Sequence, residues 1–105
     1  MIGSIILLVA VLFTIPAYSA QGWYLMVPPN VPTPKGPDRW LTEAPLREWY
    51  QNRAFDSAEA CERYLDGWKA RTTKEFKRVA NEENRLFRNG AYLSSCVASD
   101  DPRLK

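Results

Sequence analysis

The chain has 105 residues, with 14 Lys+Arg against 12 Asp+Glu, two cysteines and no histidine. A net charge of +2 is too small to imply a polyanion such as nucleic acid as partner. The absence of histidine removes imidazole-based nucleophilic triads and Cys/His zinc sites from consideration.

Residues 5–15 form an uncharged, apolar run, and the small residues Ala17, Ser19 and Ala20 follow just after the helix-breaking Pro16. This is the pattern of a secretory signal peptide. The run is shorter than the roughly 20 apolar residues a membrane span needs, so removal after export is favoured over a retained N-terminal anchor. No basic residue precedes the run, since Lys35 is the first positive side chain. Small residues at Ala17 and Ser19 place the cut before Ala20, with a cut after Ala20 as the alternative. Taking residues 1–20 as the signal leaves 21–105 as one small domain, located in the periplasm or secreted, or held at the membrane if the N-terminus is retained.

A chain of that size has a modest core, and a covalent staple would help it. In an oxidising compartment Cys61 and Cys96 can form only one intramolecular bridge, worth about 3 to 4 kcal/mol in the chain-entropy model. An intermolecular pair or free thiols are the alternatives.

Residues 22–27, Gly-Trp-Tyr-Leu-Met-Val, are rich in aromatic and branched side chains and stop at Pro28 and Pro29, which predicts a first strand. From Pro28 to Pro37 the composition favours extended polyproline geometry and predicts a surface loop. The Pro29-x-x-Pro32 step within it reads as a spacer rather than a docking motif. Residues 38–45 show no sustained period. The run 46–55 alternates as a strand would, with Trp49 and Phe55 on one face, and a helix is the alternative for its first half.

Asp56 with Glu59 three positions later resembles a capping box, and Phe55 is spaced to staple against Ala60. On a helical wheel Cys61, Tyr64, Leu65, Trp68, Thr72, Phe76, Val79, Leu86 and Phe87 share one arc, interrupted only by Glu83. That continuity predicts a single helix over 57–88, terminated at Asn89-Gly90. Residues 92–98 then predict a last strand carrying Cys96, and residues 99–102 a turn. The expected fold class is α+β: two or three short strands packed on one long amphipathic helix, with one disulfide.

The same wheel puts Arg71, Lys74, Lys77, Arg78, Arg85 and Arg88 within about 120° of one another, opposite the apolar arc. These are the candidate anion-binding residues, for which anionic lipid headgroups, acidic polysaccharide or another envelope component are the fitting partners. The competing interpretation is a solvated face braced by Glu75 with Arg78 and Glu82 with Arg85 at i,i+3.

Catalysis finds little support. Glu62 and Asp66 lie one helical turn apart without a sign of a cleft between them. Ser94, Ser95 and Ser99 lack a histidine base. Asp100-Asp101 before Pro102 is a turn signature rather than a calcium site, which needs six or more oxygens. No cofactor or metal site is expected, and the chain is not expected to be an enzyme.

Three blocks carry a resemblance: residues 23–29 (WYLMVPP), 54–62 (AFDSAEACE) and 96–104 (CVASDDPRL). In this order they resemble a group of small uncharacterised exported bacterial proteins, in which Trp-Tyr-Leu-Met-x-Pro-Pro, Phe-Asp-Ser/Thr-Ala-x-x-Cys and Cys-x-Ala-x-Asp-Asp-Pro-Arg-Leu recur. The resemblance implies a bacterial source, an envelope or secreted location and pairing of Cys61 with Cys96, and it implies no activity. The Pro-rich insert and the basic helix lie outside the shared blocks.

The reading that results is a non-enzymatic envelope or periplasmic protein that binds or scaffolds a partner. The alternative is a peripheral membrane-surface protein held by the basic face or by an uncleaved N-terminus.

Overall fold

The structure, a computed structural model, describes residues 22–34, 36 and 38–105, so the export segment expected at 1–20 lies outside the described residues. It is an α+β fold in which two helices pack with two small antiparallel sheets.

Strand β1 (Trp23–Val27) is the middle of a three-stranded sheet, flanked by β4 (Tyr50–Phe55) and β5 (Ser95–Ala98). Its run of aromatic and branched residues without polar alternation suits a strand covered on both faces, and Leu25, Met26 and Val27 are all buried. The register sets Trp23 opposite Phe55 on one side and Leu25 opposite Cys96 on the other. Beyond the ladder, Ser99 N–H donates to the Gly22 carbonyl at 2.9 Å, and Gly22 N–H donates to Ser99 Oγ at 3.1 Å. This reciprocal pair closes the β1–β5 end of the sheet.

The Pro-rich segment is more ordered than its composition suggests. Asn30–Val31 (β2) pairs antiparallel with Arg39–Trp40 (β3), and Leu41 N–H extends the hairpin by donating to the Pro29 carbonyl at 2.8 Å. The ladder forms where two successive residues keep their N–H groups, and the prolines fall outside it. Hence the expected featureless loop at 28–37 contains one arm of a hairpin, and the aperiodic stretch 38–45 contains the other.

A 3-10 turn, Leu46–Glu48, leads into β4. The pairing with β1 slips between Leu25 and Met26, so Asn52 is an extra residue in β4. A bulge of this kind inverts the alternation. Phe55 and Arg53 lie on the helix side of the sheet with Trp23 and Leu25, whereas continued alternation before the bulge carries Trp49 to the opposite face. Trp49 lines a groove there with Leu46, Val97 and Arg103, and its indole N–H donates to the Ala44 carbonyl at 3.0 Å. The expectation that Trp49 and Phe55 share a face therefore fails by one inserted residue.

Helix α1 (Ala58–Arg78) starts one position later than its capping pattern suggests: Ser57, not Asp56, is the N-cap, and its Oγ accepts from Ala60 N–H at 3.1 Å. Glu59 instead pairs with Arg63 at 2.7 Å. Phe55 packs with Tyr64, ring centroids 5.5 Å apart. Leu25, Cys61 and Leu65 form the centre of the core, with Trp23, Phe55, Tyr64, Trp68 and Cys96 around them. The Cys61–Cys96 disulfide joins the start of α1 to β5 within this cluster. A disulfide between them suits an oxidising, extracytoplasmic location.

The single helix expected over 57–88 is two helices. Residues 79–81 break it, and α2 runs Glu82–Leu93. Asn81 caps α2 by accepting from Asn84 N–H at 2.8 Å, while Asn84 Nδ2 returns a bond to the Val79 carbonyl at 2.8 Å. These two amides hold the corner. Asn89-Gly90, the expected terminator, is inside α2, and Gly90 has no positive φ. The helix ends at Ser94, whose hydroxyl donates to the Gly90 carbonyl at 2.6 Å. Tyr92, expected in the last strand, belongs to α2, and β5 begins at Ser95.

Candidate binding cleft

The break at 79–81 redistributes the cations expected to form one basic face. Arg71, Lys74, Lys77 and Arg78 are on α1, and Arg85 and Arg88 are on α2. Both expected i,i+3 pairs form: Arg78 binds Glu75, and Arg85 meets Glu82 at 2.8 Å. The Arg78 bond holds the Glu75 carboxyl below its ordinary pKa and, reciprocally, Glu75 raises that of Arg78. Arg88 is half-buried. Its guanidinium sits 4.4 Å from the centre of the Phe76 ring, so it packs against a member of the apolar arc it was expected to oppose. Arg71 lies 5.6 Å from the Tyr64 ring centre. Lys74 and Lys77 remain exposed, without an ion pair among the described residues.

The polar residues considered for catalysis have other work or none. Glu62 and Asp66 are exposed on α1. Ser94 is buried and spends its hydroxyl on the helix end, and Ser99 is spent on Gly22. Asp101 accepts from both the backbone N–H and the guanidinium of Arg103. These bonds hold its carboxyl at about 2, against an ordinary 3.8, and fix the terminal 3-10 turn Pro102–Leu104. Among the described residues no group of three or more Asp, Glu, Cys or His side chains is placed to hold a metal ion. No helix among them is long and apolar enough to cross a membrane.

Among the described residues lies a cleft that neither periodicity nor motif pointed to. It lies between the Pro-rich hairpin and the first turns of α2, with a volume of about 570 Å³, a size ordinary for ligand sites. Trp40 and Leu86 supply apolar surface, Asn89 lies beside them, and Asp38, Glu82, Glu83 and Arg85 supply charge. The hairpin is held against α2 by close packing: a Cβ added at Gly90 would come within 2.7 Å of the Trp40 ring. Only glycine permits that approach without displacement of the indole. No family model, curated protein or solved structure matches this chain.

The charge in the cleft is uneven. Glu82 is answered by Arg85, whereas Asp38 and Glu83 form no ion pair among the described residues. A second, smaller groove of about 370 Å³ lies between the two helices, where Trp68, Thr72 and Glu75 face Asn84 and Phe87. Phe87 is half exposed there, at 51%.

Sequence reasoning missed Asp38, Trp40, Leu86 and Asn89 as a group because they come from two segments distant in the chain. The one local signal was Gly90 within a strongly helical run, which indicates close approach when it does not end the helix.

Proposed function

We propose that this protein is a non-enzymatic binding module of the bacterial envelope or periplasm, presenting the cleft between its Pro-rich hairpin and α2 to a partner. The observation that carries this reading is the cleft itself: an apolar floor of Trp40 and Leu86 beside charged side chains, built on a fold clamped by Cys61–Cys96. Apolar surface with a few convergent polar groups is the usual composition of a recognition site. The disulfide supports the extracytoplasmic address, and the resemblance of the three sequence blocks to exported bacterial proteins supports the envelope as its setting. Photocrosslinking in intact cells tests it. A crosslinker at Leu86 is expected to give a discrete adduct that one at Glu62, exposed on α1, does not give. Equal labelling from both positions contradicts the reading.

A second reading, attachment to an anionic membrane surface, is favoured by the exposed Lys74 and Lys77 close to the exposed Val79 at the helix corner. Co-sedimentation with vesicles containing anionic lipid separates the two readings. Pelleting that is lost in salt supports the membrane surface, and no pelleting at low salt excludes it.

A further inference from the structure

We infer that the cleft takes a basic segment of a partner protein, with the aliphatic stem of a Lys or Arg lying on Trp40 and Leu86 and its charged head among Asp38 and Glu83. This rests on the binding role assigned to the cleft above and names its partner class. The cleft joins two walls of different origin. Glu82 and Glu83 stand in the first turn of α2, where carboxylates also complement the helix dipole. Asp38 comes from the opposite wall, beside β3, where no helix calls for an acid. With Arg85 engaged by Glu82, the cleft keeps two carboxylates, Asp38 and Glu83, without an ion pair among the described residues. An acidic polysaccharide or anionic headgroup is repelled by that arrangement. A simple metal ion gains nothing from an indole and a leucine. A long basic side chain uses both parts, burying methylenes on the apolar floor and keeping its charge at the carboxylates, with the indole face adding cation–π attraction. Flanking apolar residues of the same segment extend that contact along Leu86.

The test uses the oxidised mature protein and two acetylated, amidated hexapeptides, one alternating leucine with lysine and one alternating leucine with glutamate. Binding is read by calorimetry and by amide shifts at low and at about 150 mM salt. The lysine peptide is expected to bind saturably, to shift Trp40, Leu86 and Asn89, and to weaken about tenfold in the higher salt and in the D38N/E83Q variant. The control E59Q/E62Q, altered on the far exposed face of α1, is expected to bind as the parent does. Variants are compared only where their circular dichroism and melting match the parent.

No saturation below about 1 mM overturns the inference, as does unchanged affinity in D38N/E83Q. Spermidine displacing the peptide at equal concentration overturns its protein-segment part. Tight binding of the glutamate peptide with shifts at Trp40 and Leu86 overturns the basic-partner inference and leaves the cleft as the binding site. Shifts confined to Lys74 and Lys77 reject both.

Discussion

Around Cys61 the layers of the protein are closed, whereas around Trp40 and Leu86 they meet at an open seam. At the closed end β1 is covered on both faces, Leu25 and Cys61 are fully buried, and a disulfide ties α1 to β5. At the open end α2 buries only Gly90 and Ala91 and exposes Phe87, Tyr92 and Leu93. The hairpin packed on α2 leaves two buried donors, Asn30 Nδ2 and Trp40 Nε1, without acceptors among the described residues, and these two residues face each other across the β2–β3 ladder. Each such donor costs about 1 to 3 kcal/mol. The contrast separates what holds the chain folded from what is open to solvent. The three-stranded sheet and the start of α1 enclose the core, and the less satisfied hairpin and second helix form the surface to which the proposed function assigns a partner.

The largest expected effect comes from opening the clamp. Replacing Cys61 and Cys96 together by Ala is expected to lower unfolding free energy by about 3 to 4 kcal/mol, measured by urea titration. A loss below about 1 kcal/mol would show that the closed end does not depend on its covalent tie. Leu25→Ala, which empties the centre of the same cluster, is expected to cost about 3 kcal/mol. If the substitution moves the midpoint little, the core does not centre on that side chain.

Two helix glycines sharpen the comparison because they should respond with opposite sign. At Gly90 a methyl group meets the Trp40 ring at 2.7 Å, so Gly90→Ala is expected to destabilise by about 1 to 2 kcal/mol, after allowing for alanine's better helix propensity. Trp40 fluorescence should change with it. At Gly67 the nearest atom is the flexible end of Arg71 at 3.2 Å, which can swing away. Gly67→Ala is therefore expected to stabilise by up to about 1 kcal/mol. The same sign at both positions would break the account of how the hairpin docks.

The smallest effect concerns pH. Asp101 titrates at about 2 in the fold, below its ordinary 3.8, because Arg103 binds the ionised form. Its contribution to stability is complete above the unfolded value and disappears as pH falls through about 2. A carboxyl NMR titration should give that low midpoint, and Arg103→Gln should return it toward 3.8. An ordinary midpoint in the parent protein would remove the pair from the account.

The parts legible in the sequence were those governed by neighbours in the chain or by simple counting. Trp23–Val27 before two prolines is a strand, two cysteines in one domain make one bridge, and Glu75-Arg78 and Glu82-Arg85 are pairs at helical spacing. Periodicity misled where a polar cap coincided with an unbroken apolar arc. Val79, Leu86 and Phe87 stayed in phase with Cys61, so Asn81 and Asn84 looked like interior polar residues instead of a cap and its brace. Gly90 looked like a terminator because its true constraint is the ring of Trp40, brought in from the Pro-rich segment. Trp49 changed faces through the one-residue bulge at Asn52, which no alternation pattern announces. The cleft escaped for the same reason: its walls are joined only by the tertiary fold.

Native-state hydrogen exchange tests the division between a closed and an open end most directly. The amides of Leu25, Met26 and Val97 are expected to exchange only through global unfolding, and those within α2 through a local opening of distinctly lower free energy. Equal protection of β1 and α2, lost together in a single transition, would contradict it.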